Sequence, residues 1–311
     1  MTRIFTLFLD GVGLGEDDPQ RNPFSNAHLP QLLALLDGRR LVAESVPTET
    51  ETATLLGLDA CMGVDGMPQS ASCQATLLTG RNVALELGAH YGPKPNQAIR
   101  DIIQADNLFA MVKRKGGSVS LLNGYPPGYF EAIQRGRRLY SAIPLSIVSA
   151  GFRLQTAEDM QAGRAFSADF TGQGWAERVG FPPAPIYSPV EAGRHMALAC
   201  RHSDLTWFDY WLTDYVGHKQ AMDQAISLLE TLDAVLDGFL ENWRIDEDLV
   251  VLISDHGNVE DLRPRGHTRN PVPCLLIGPL HLRRVFAHEL HDLSGYAPAV
   301  LRVLFEEGRP S

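Results

Sequence analysis

The chain has 311 residues, 44% of them hydrophobic and 21% charged, with 27 Lys and Arg against 37 Asp and Glu for a net charge of −10. That size and apolar content support a large buried core and argue against a disordered chain. The surplus of acid argues against general binding to nucleic acid or an anionic membrane, so neither is expected as a partner. Four widely spaced cysteines, Cys61, Cys73, Cys200 and Cys274, form no CxxC pair. They exclude a zinc ribbon or thioredoxin-type site and point to free thiols in a reducing compartment. The apolar run Ile4–Leu9 is too short for a signal peptide or for a membrane span of about 20 residues, so the expected location is the cytoplasm.

In chain order, Ile4–Leu9 reads as a buried strand that stops at Asp10-Gly11-Val12-Gly13-Leu14-Gly15. Glycines after such a strand mark a tight turn at its carboxyl end. A dinucleotide site is not encoded there, because Glu16 stands where the third glycine would be needed. Residues 16–28 read as a loop, His28–Leu36 as a helix and Leu41–Val46 as a strand. A helix capped by Ser70 or Ser72 runs to about Leu78 and ends at Gly80. Asn96–Lys115 reads as one amphipathic helix, with a strand at Ser118–Leu122 after it. Residues 125–187, rich in Pro and Gly, read as a small inserted cap subdomain between core segments 1–124 and 188–311.

Beyond the insert come a helix at Glu191–Cys200, an aromatic strand at Leu205–Leu212 and a long helix at Gln220–Leu240. Two buried strands, Asp248–Ser254 and Val272–Ile277, and a terminal helix, Ser294–Phe305, complete the chain. Trp207, Phe208, Tyr210 and Trp211 read as strand and core packing rather than a substrate platform. Strands alternating with helices predict a doubly wound α/β sheet, mainly parallel and flanked by helices.

Three segments share one layout, an apolar strand followed at once by metal-capable side chains. They are Leu9-Asp10, Leu212-Thr-Asp214 with His218 four residues on, and Ser254-Asp255-His256. A further imidazole, His267, precedes the strand at Val272. Open parallel sheets bind ligands beyond the carboxyl ends of their strands, so three strands delivering Asp and His to that edge form a site pattern. Carboxylates, neutral imidazoles and a hydroxyl are the donor set of Zn²⁺ or Mn²⁺ rather than Ca²⁺. Asp10, Ser70, Asp214, His218, Asp255, His256 and His267 are too many for one tetrahedral ion. They suit a pair of ions about 3.5–4 Å apart, as in phosphoryl transfer. A serine at a helix N-terminus is either a plain cap or, with the dipole and free N–H groups around it, a nucleophile facing an incoming phosphate.

Leu9-Asp10-Gly11-Val12-Gly13, Asp214-Tyr-Val-Gly-His218, Asp255-His256-Gly257-Asn258-Val259-Glu260 and His267-Thr-Arg-Asn-Pro-Val-Pro273 together resemble the alkaline phosphatase superfamily of two-metal enzymes. Within it the motifs resemble the branch of cofactor-independent phosphoglycerate mutase and phosphopentomutase. The resemblance implies an alkaline-phosphatase-like core and two divalent ions, Mn²⁺ or Zn²⁺. It implies that Asp214, His218 and His267 hold one ion, and Asp10, Asp255, His256 and the Ser70 oxygen the other. Counting back ten residues from Gly80 assigns Ser70, rather than Ser72, as the superfamily's nucleophile. The chain departs from the mutase pattern at Cys73-Gln74, where mutases carry Gly-His, and from the sulfatase signature at Ser72 and Gln74. Its insert is also smaller than a mutase cap.

The expected activity is hydrolysis of a small phosphate monoester through a phosphoserine at Ser70. A phosphomutase is the alternative enzyme, and a catalytically silent metal-binding protein the alternative of another class. Arg81 and Asn82, just past the Ser70 helix, and Lys94 are the expected substrate contacts, since cationic forks and ammonium groups match phosphate.

Overall fold

The computed structural model describes residues 2–178 and 181–306. β1 (Ile4–Leu9) is buried along its whole length, as expected of an unbroken apolar run in the middle of a sheet covered on both faces. The other strands, in chain order, are β2 (Thr48–Glu49), β3 (Ala53–Leu58), β4 (Val119–Leu121), β5 (Gly124–Tyr125), β6 (Gln155–Thr156), β7 (Leu205–Tyr210), β8 (Leu249–Ile253) and β9 (Val272–Ile277). Seven of them form the central sheet in the order β2-β3-β9-β8-β1-β7-β4, and β5 and β6 pair separately. β8, β1, β7 and β4 run parallel, while β9, β3 and β2 extend the sheet antiparallel. The fold is therefore α/β with a large central sheet flanked by helices. Its parallel block carries the strand ends singled out above.

The antiparallel side is where local sequence signals were weakest. Leu41–Val46 contains a short 3₁₀ turn at Ala43–Ser45 instead of a strand, and the strands of this region, β2 and β3, follow it. They form a hairpin closed by Thr50, whose N–H donates to Ala53 O (2.8 Å) and whose hydroxyl accepts from Ala53 N (3.0 Å). The stretch expected as one helix at Asn96–Lys115 is two, Gln97–Ala105 and Leu108–Arg114. Asn107 divides them, because its side-chain oxygen takes the N–H groups of Phe109 and Ala110 as a new N-cap.

Two apolar layers cover the faces of the sheet. On one lies the helix Ser70–Thr79, packed against Gln97–Ala105, Leu108–Arg114, Ala142–Ser149 and Tyr296–Phe305. On the other the helices Pro189–Cys200 and Met222–Asn242 run against each other. Within residues 125–187, of which 179 and 180 lie outside the described residues, the helix Ala142–Ser149 is buried in the first layer. Ala157, Met160, Ala165 and Trp175 form a small apolar cluster of their own. All four cysteines are unpaired, three of them buried. Among the described residues no helix is long and apolar enough to cross a membrane.

Candidate metal centre

β8, β1 and β7 lie side by side, and the turns at their carboxyl ends bring the candidate ligands together. β1 ends at Asp10 and turns through Gly11, which has φ of +68° and on which a Cβ would come within 2.5 Å of Asp214 Oδ1. Only glycine allows the β1 turn to lie this close to the second ligand segment. β8 ends at Ser254-Asp255-His256. Ser254 Oγ accepts from Val12 N (2.9 Å) and Asp255 Oδ1 from Gly11 N (3.2 Å), which ties the two turns together. β7 stops at Tyr210, short of the expected Leu212. The helix Leu212–Lys219 then begins at once, placing Asp214 and His218 one turn apart on a single face.

Five of the seven candidate ligands fall into two neighbouring groups that share Asp214, with Asp255 and Ser70 beside His256. Asp214, His218 and His267 each direct one ligand atom into a common space, and Asp10, Asp214 and His256 do the same alongside. His218 Nε2 is 3.2 Å from Asp214 Oδ2 and His267 Nε2 is 3.8 Å from Asp214 Oδ1. On the inner side, His256 Nε2 stands 3.0 Å from Ser70 Oγ, 3.5 Å from Asp10 Oδ1 and 3.4 Å from Asp255 Oδ2. The His256 and His267 rings stack, with centroids 3.7 Å apart. His267 Nδ1 donates to Pro68 O (2.7 Å), leaving Nε2 with its lone pair toward the cluster, the arrangement of a metal-bound imidazole.

Ser70 opens its helix but does not cap it. The N-cap position is Gln69, no side chain caps the helix, and Gly80 closes it in the left-handed conformation. The serine hydroxyl is thus free to face His256. Ser72 is committed elsewhere: its Oγ accepts from Tyr91 N (3.0 Å) and its N–H donates to Tyr91 O (2.9 Å).

The electrostatics are those of a site that lacks positive charge. Burial, together with the charges of Asp255 and Asp214, pushes the Asp10 carboxyl well above its ordinary range. Burial raises Asp255 to about 7 and lowers His256 to about 3, with His267 adding to the effect. Asp10 Oδ1 is buried with no hydrogen-bond partner. An orphaned carboxylate oxygen among acids and neutral imidazoles is costly, and such a donor set fits divalent cations.

Several supporting residues gave no separable signal in the sequence. Gln74, one turn along the helix from Ser70, donates to Asp255 Oδ2 (2.9 Å), so the Cys73-Gln74 departure puts an amide onto a ligand carboxylate. Asn258 donates to Asp214 Oδ1 (2.6 Å). Gly217 lets the Leu212–Lys219 helix approach this amide, since a Cβ there would come within 2.7 Å of it. Glu260 is buried and accepts from Gly13 N (2.9 Å), Asn258 N (2.7 Å), Asn270 Nδ2 (3.0 Å) and the Thr268 hydroxyl. It joins all three loops.

Two of the three expected substrate contacts stand apart from the ligand cluster. Arg81 and Asn82 follow the far end of the ten-residue helix that Ser70 opens, about 15 Å from it at 1.5 Å per residue. Arg81 pairs with Glu86, its Nε donating to Oε1 (2.8 Å), and Asn82 caps the helix Val83–Leu87 and donates to Met62 O. Neither reaches the ligand cluster. Lys94 is exposed, two residues beyond Gly92, on which a Cβ would lie 3.3 Å from Ser70 N. Trp207, Phe208 and Tyr210 are core residues as expected, but Trp211 is 41% exposed.

Comparisons with known proteins bear on the family and the fold. A family model described as the metalloenzyme superfamily matches residues 193–305. The 2,3-bisphosphoglycerate-independent phosphoglycerate mutase of Salmonella choleraesuis is 25% identical over 126 residues, which are 38% of this chain and 22% of the mutase. The matched region therefore spans about a fifth of that relative's length. Among solved structures, the PH0037 protein from Pyrococcus horikoshii has a TM-score of 0.58 at 11% identity, covering 100% of this chain and 98% of that one. The alkaline phosphatase of the Antarctic bacterium TAB5 has a TM-score of 0.53 at 10% identity, covering 97% of each. These last two likenesses are of fold.

Proposed function

We propose that this chain, whose residues 193–305 match a metalloenzyme superfamily model and which is similar to a phosphoglycerate mutase over 126 residues, is a phosphoryl-transfer enzyme that hydrolyses a small phosphate monoester. The observation that carries the proposal is the convergence of Ser70 Oγ, Asp10, Asp255 and His256 next to Asp214, His218 and His267, with Asp10 Oδ1 orphaned. Asp214, His218 and His267 would hold one divalent ion, and Asp10, Asp255, His256 and Ser70 the other, Mn²⁺ or Zn²⁺. Such ions, when bound, supply positive charge to the phosphoryl oxygens and favour the ionised serine.

The protein's own part is orientation. Ser70 sits in the first turn of a buried helix whose dipole favours an anion. Its Oγ attacks phosphorus as the bond to the leaving alcohol breaks, and water then attacks the phosphoserine and restores the hydroxyl. Gln74 and Asn258 orient Asp255 and Asp214. Lys94 is the remaining proposed contact for the substrate. We place the enzyme in the cytoplasm on the strength of its unpaired thiols.

A mutase is the second reading, favoured by the phosphoglycerate mutases among the relatives. A phosphate-release screen over sugar, glycerate and nucleoside phosphates, run beside an isomerisation assay on the same esters, tests the two. Release without isomer supports the hydrolase, isomer without release supports the mutase, and neither in protein carrying two Mn²⁺ or Zn²⁺ overturns both.

A further inference from the structure

The site as described grips the phosphoryl group and, Lys94 apart, leaves the alcohol half of the ester without a contact. The helix that carries Asp214 and His218 also carries an exposed aromatic pair. Trp211, at its N-cap, is 41% exposed, and Tyr215 is 50% exposed. Their rings meet edge to face with centroids 6.2 Å apart, and the Lys219 ammonium lies 4.1 Å from the centre of the Tyr215 ring. Trp211 precedes Asp214 by three residues and Tyr215 precedes His218 by three. The aromatic stripe therefore adjoins the ligand stripe, with Cβ atoms about 5–6 Å apart. The His218 side chain is itself 48% exposed, so the cluster reaches solvent at the ligand that lies one turn beyond Tyr215 on the same helix. Trp175, Trp207 and Trp243 are all buried, which makes Trp211 the exception among the four.

Large aromatic side chains left in water beside a reactive centre are a binding surface more readily than a packing element. Two rings at an angle form a corner that takes a planar group, its face on one ring and its edge toward the other. We propose that Trp211, Tyr215 and Lys219 form the subsite for the alcohol portion of the substrate, and that this portion carries a flat ring, as in a nucleoside, rather than a short aliphatic chain. The inference rests on the phosphate-ester reading above and adds the substrate class to it.

The test compares adenosine 5′-monophosphate with glycerol phosphate on the Mn²⁺-loaded wild type, Trp211→Ala, Trp211→Phe and Tyr215→Ala. Stacking of one base supports a loss of about tenfold or more in kcat/KM for the nucleotide on Trp211→Ala, carried by KM. Glycerol phosphate stays within twofold and Trp211→Phe keeps most of the nucleotide activity. A second readout needs neither metal nor turnover. Adenosine titrated into metal-free protein should quench the exposed indole of the wild type and leave the emission of Trp211→Phe unchanged. An equal loss for both esters, an absence of quenching, or a change confined to the sedimentation coefficient, which would mark a contact between copies of this chain, overturns the subsite. If the wild type releases phosphate from neither ester, the quenching result alone decides whether the aromatic corner binds a ring, and the wider phosphate-release screen decides the hydrolase reading.

Discussion

The two halves of the site use the same kinds of donor and differ most in how far one imidazole of each, His256 and His218, is buried. The inner half, Ser70, Asp10, Asp255 and His256, hangs from the ends of β1 and β8 and from the first turn of a buried helix, and its Asp255 and His256 side chains have no exposed surface. The outer half, Asp214, His218 and His267, comes from a helix after β7 and a loop before β9, and His218 is nearly half exposed. Burial gives the inner half its shifted proton affinities and its orphaned oxygen. The exposure of His218 gives the outer half access to solvent, while His267 is nearly buried. A ligand removed from the inner half leaves buried charge uncompensated, whereas one removed from the outer half can be replaced by water.

Changes that break the inner half should therefore cost the most. Ser70→Ala is expected to lower turnover at least about a thousandfold, as loss of a nucleophile does, while metal analysis still finds most of the bound ion. Full turnover in that variant would remove Ser70 from the chemistry. Asp255→Asn should lose about 10²–10³-fold in kcat and, unlike Ser70→Ala, should also lose stoichiometric metal, as measured on dialysed protein.

The next effect separates the halves by pH. In the metal-free fold Asp255 holds its proton up to about pH 7 and Asp10 holds its own well above the ordinary carboxyl range, whereas His256, lowered to about 3, is already neutral. Metal uptake must displace the carboxyl protons, so the apparent Kd for Mn²⁺ should weaken by about tenfold for each proton released and each pH unit below 7. Calorimetric titrations at pH 8 and pH 6 in buffers of different ionisation enthalpy would measure both quantities. Equal affinity at the two pH values with no proton release would contradict this account.

Smaller effects should come from the partners that hold the ligands in place. Gln74→Ala on the inner half and Asn258→Ala on the outer half are each expected to weaken metal binding by about 10–100-fold, with the larger loss at Gln74 because Asp255 is fully enclosed. Competition with a metal-sensitive dye would rank them, and the reverse order would argue against the contrast between the halves. Arg81→Ala should change kcat/KM less than about twofold, since its ion pair with Glu86 is exposed and such pairs contribute little.

The ligand segments were legible because each is a local pattern, an apolar strand followed at once by Asp or His, and sequence-adjacent residues at a strand end stay adjacent in the fold. The α/β class followed from the same alternation of strands and helices. β2 and β3 were not legible, because a hairpin closed by one threonine lacks the helix-and-glycine punctuation of the parallel units. Arg81 was misplaced because nearness in sequence to Ser70 becomes, along a rigid helix, distance in space. Trp211 reads as core because the aromatic run predicts a strand through Leu212, whereas β7 ends at Tyr210, a helix starts at Leu212 and the indole is left exposed.

By itself the sequence determined which side chains could bind metal, and that Asp10 and Asp255-His256 directly follow buried strands. Tertiary structure decided how these ends divide into a buried and an open half, which amides brace them, and which aromatic residues are left in water. The physical reason is range. Strand and turn chemistry acts over a few residues, whereas burial, the unmet oxygen of Asp10 and the bonds from Gln74, Asn258 and Glu260 depend on segments 44 to 247 residues apart meeting at one edge of the sheet.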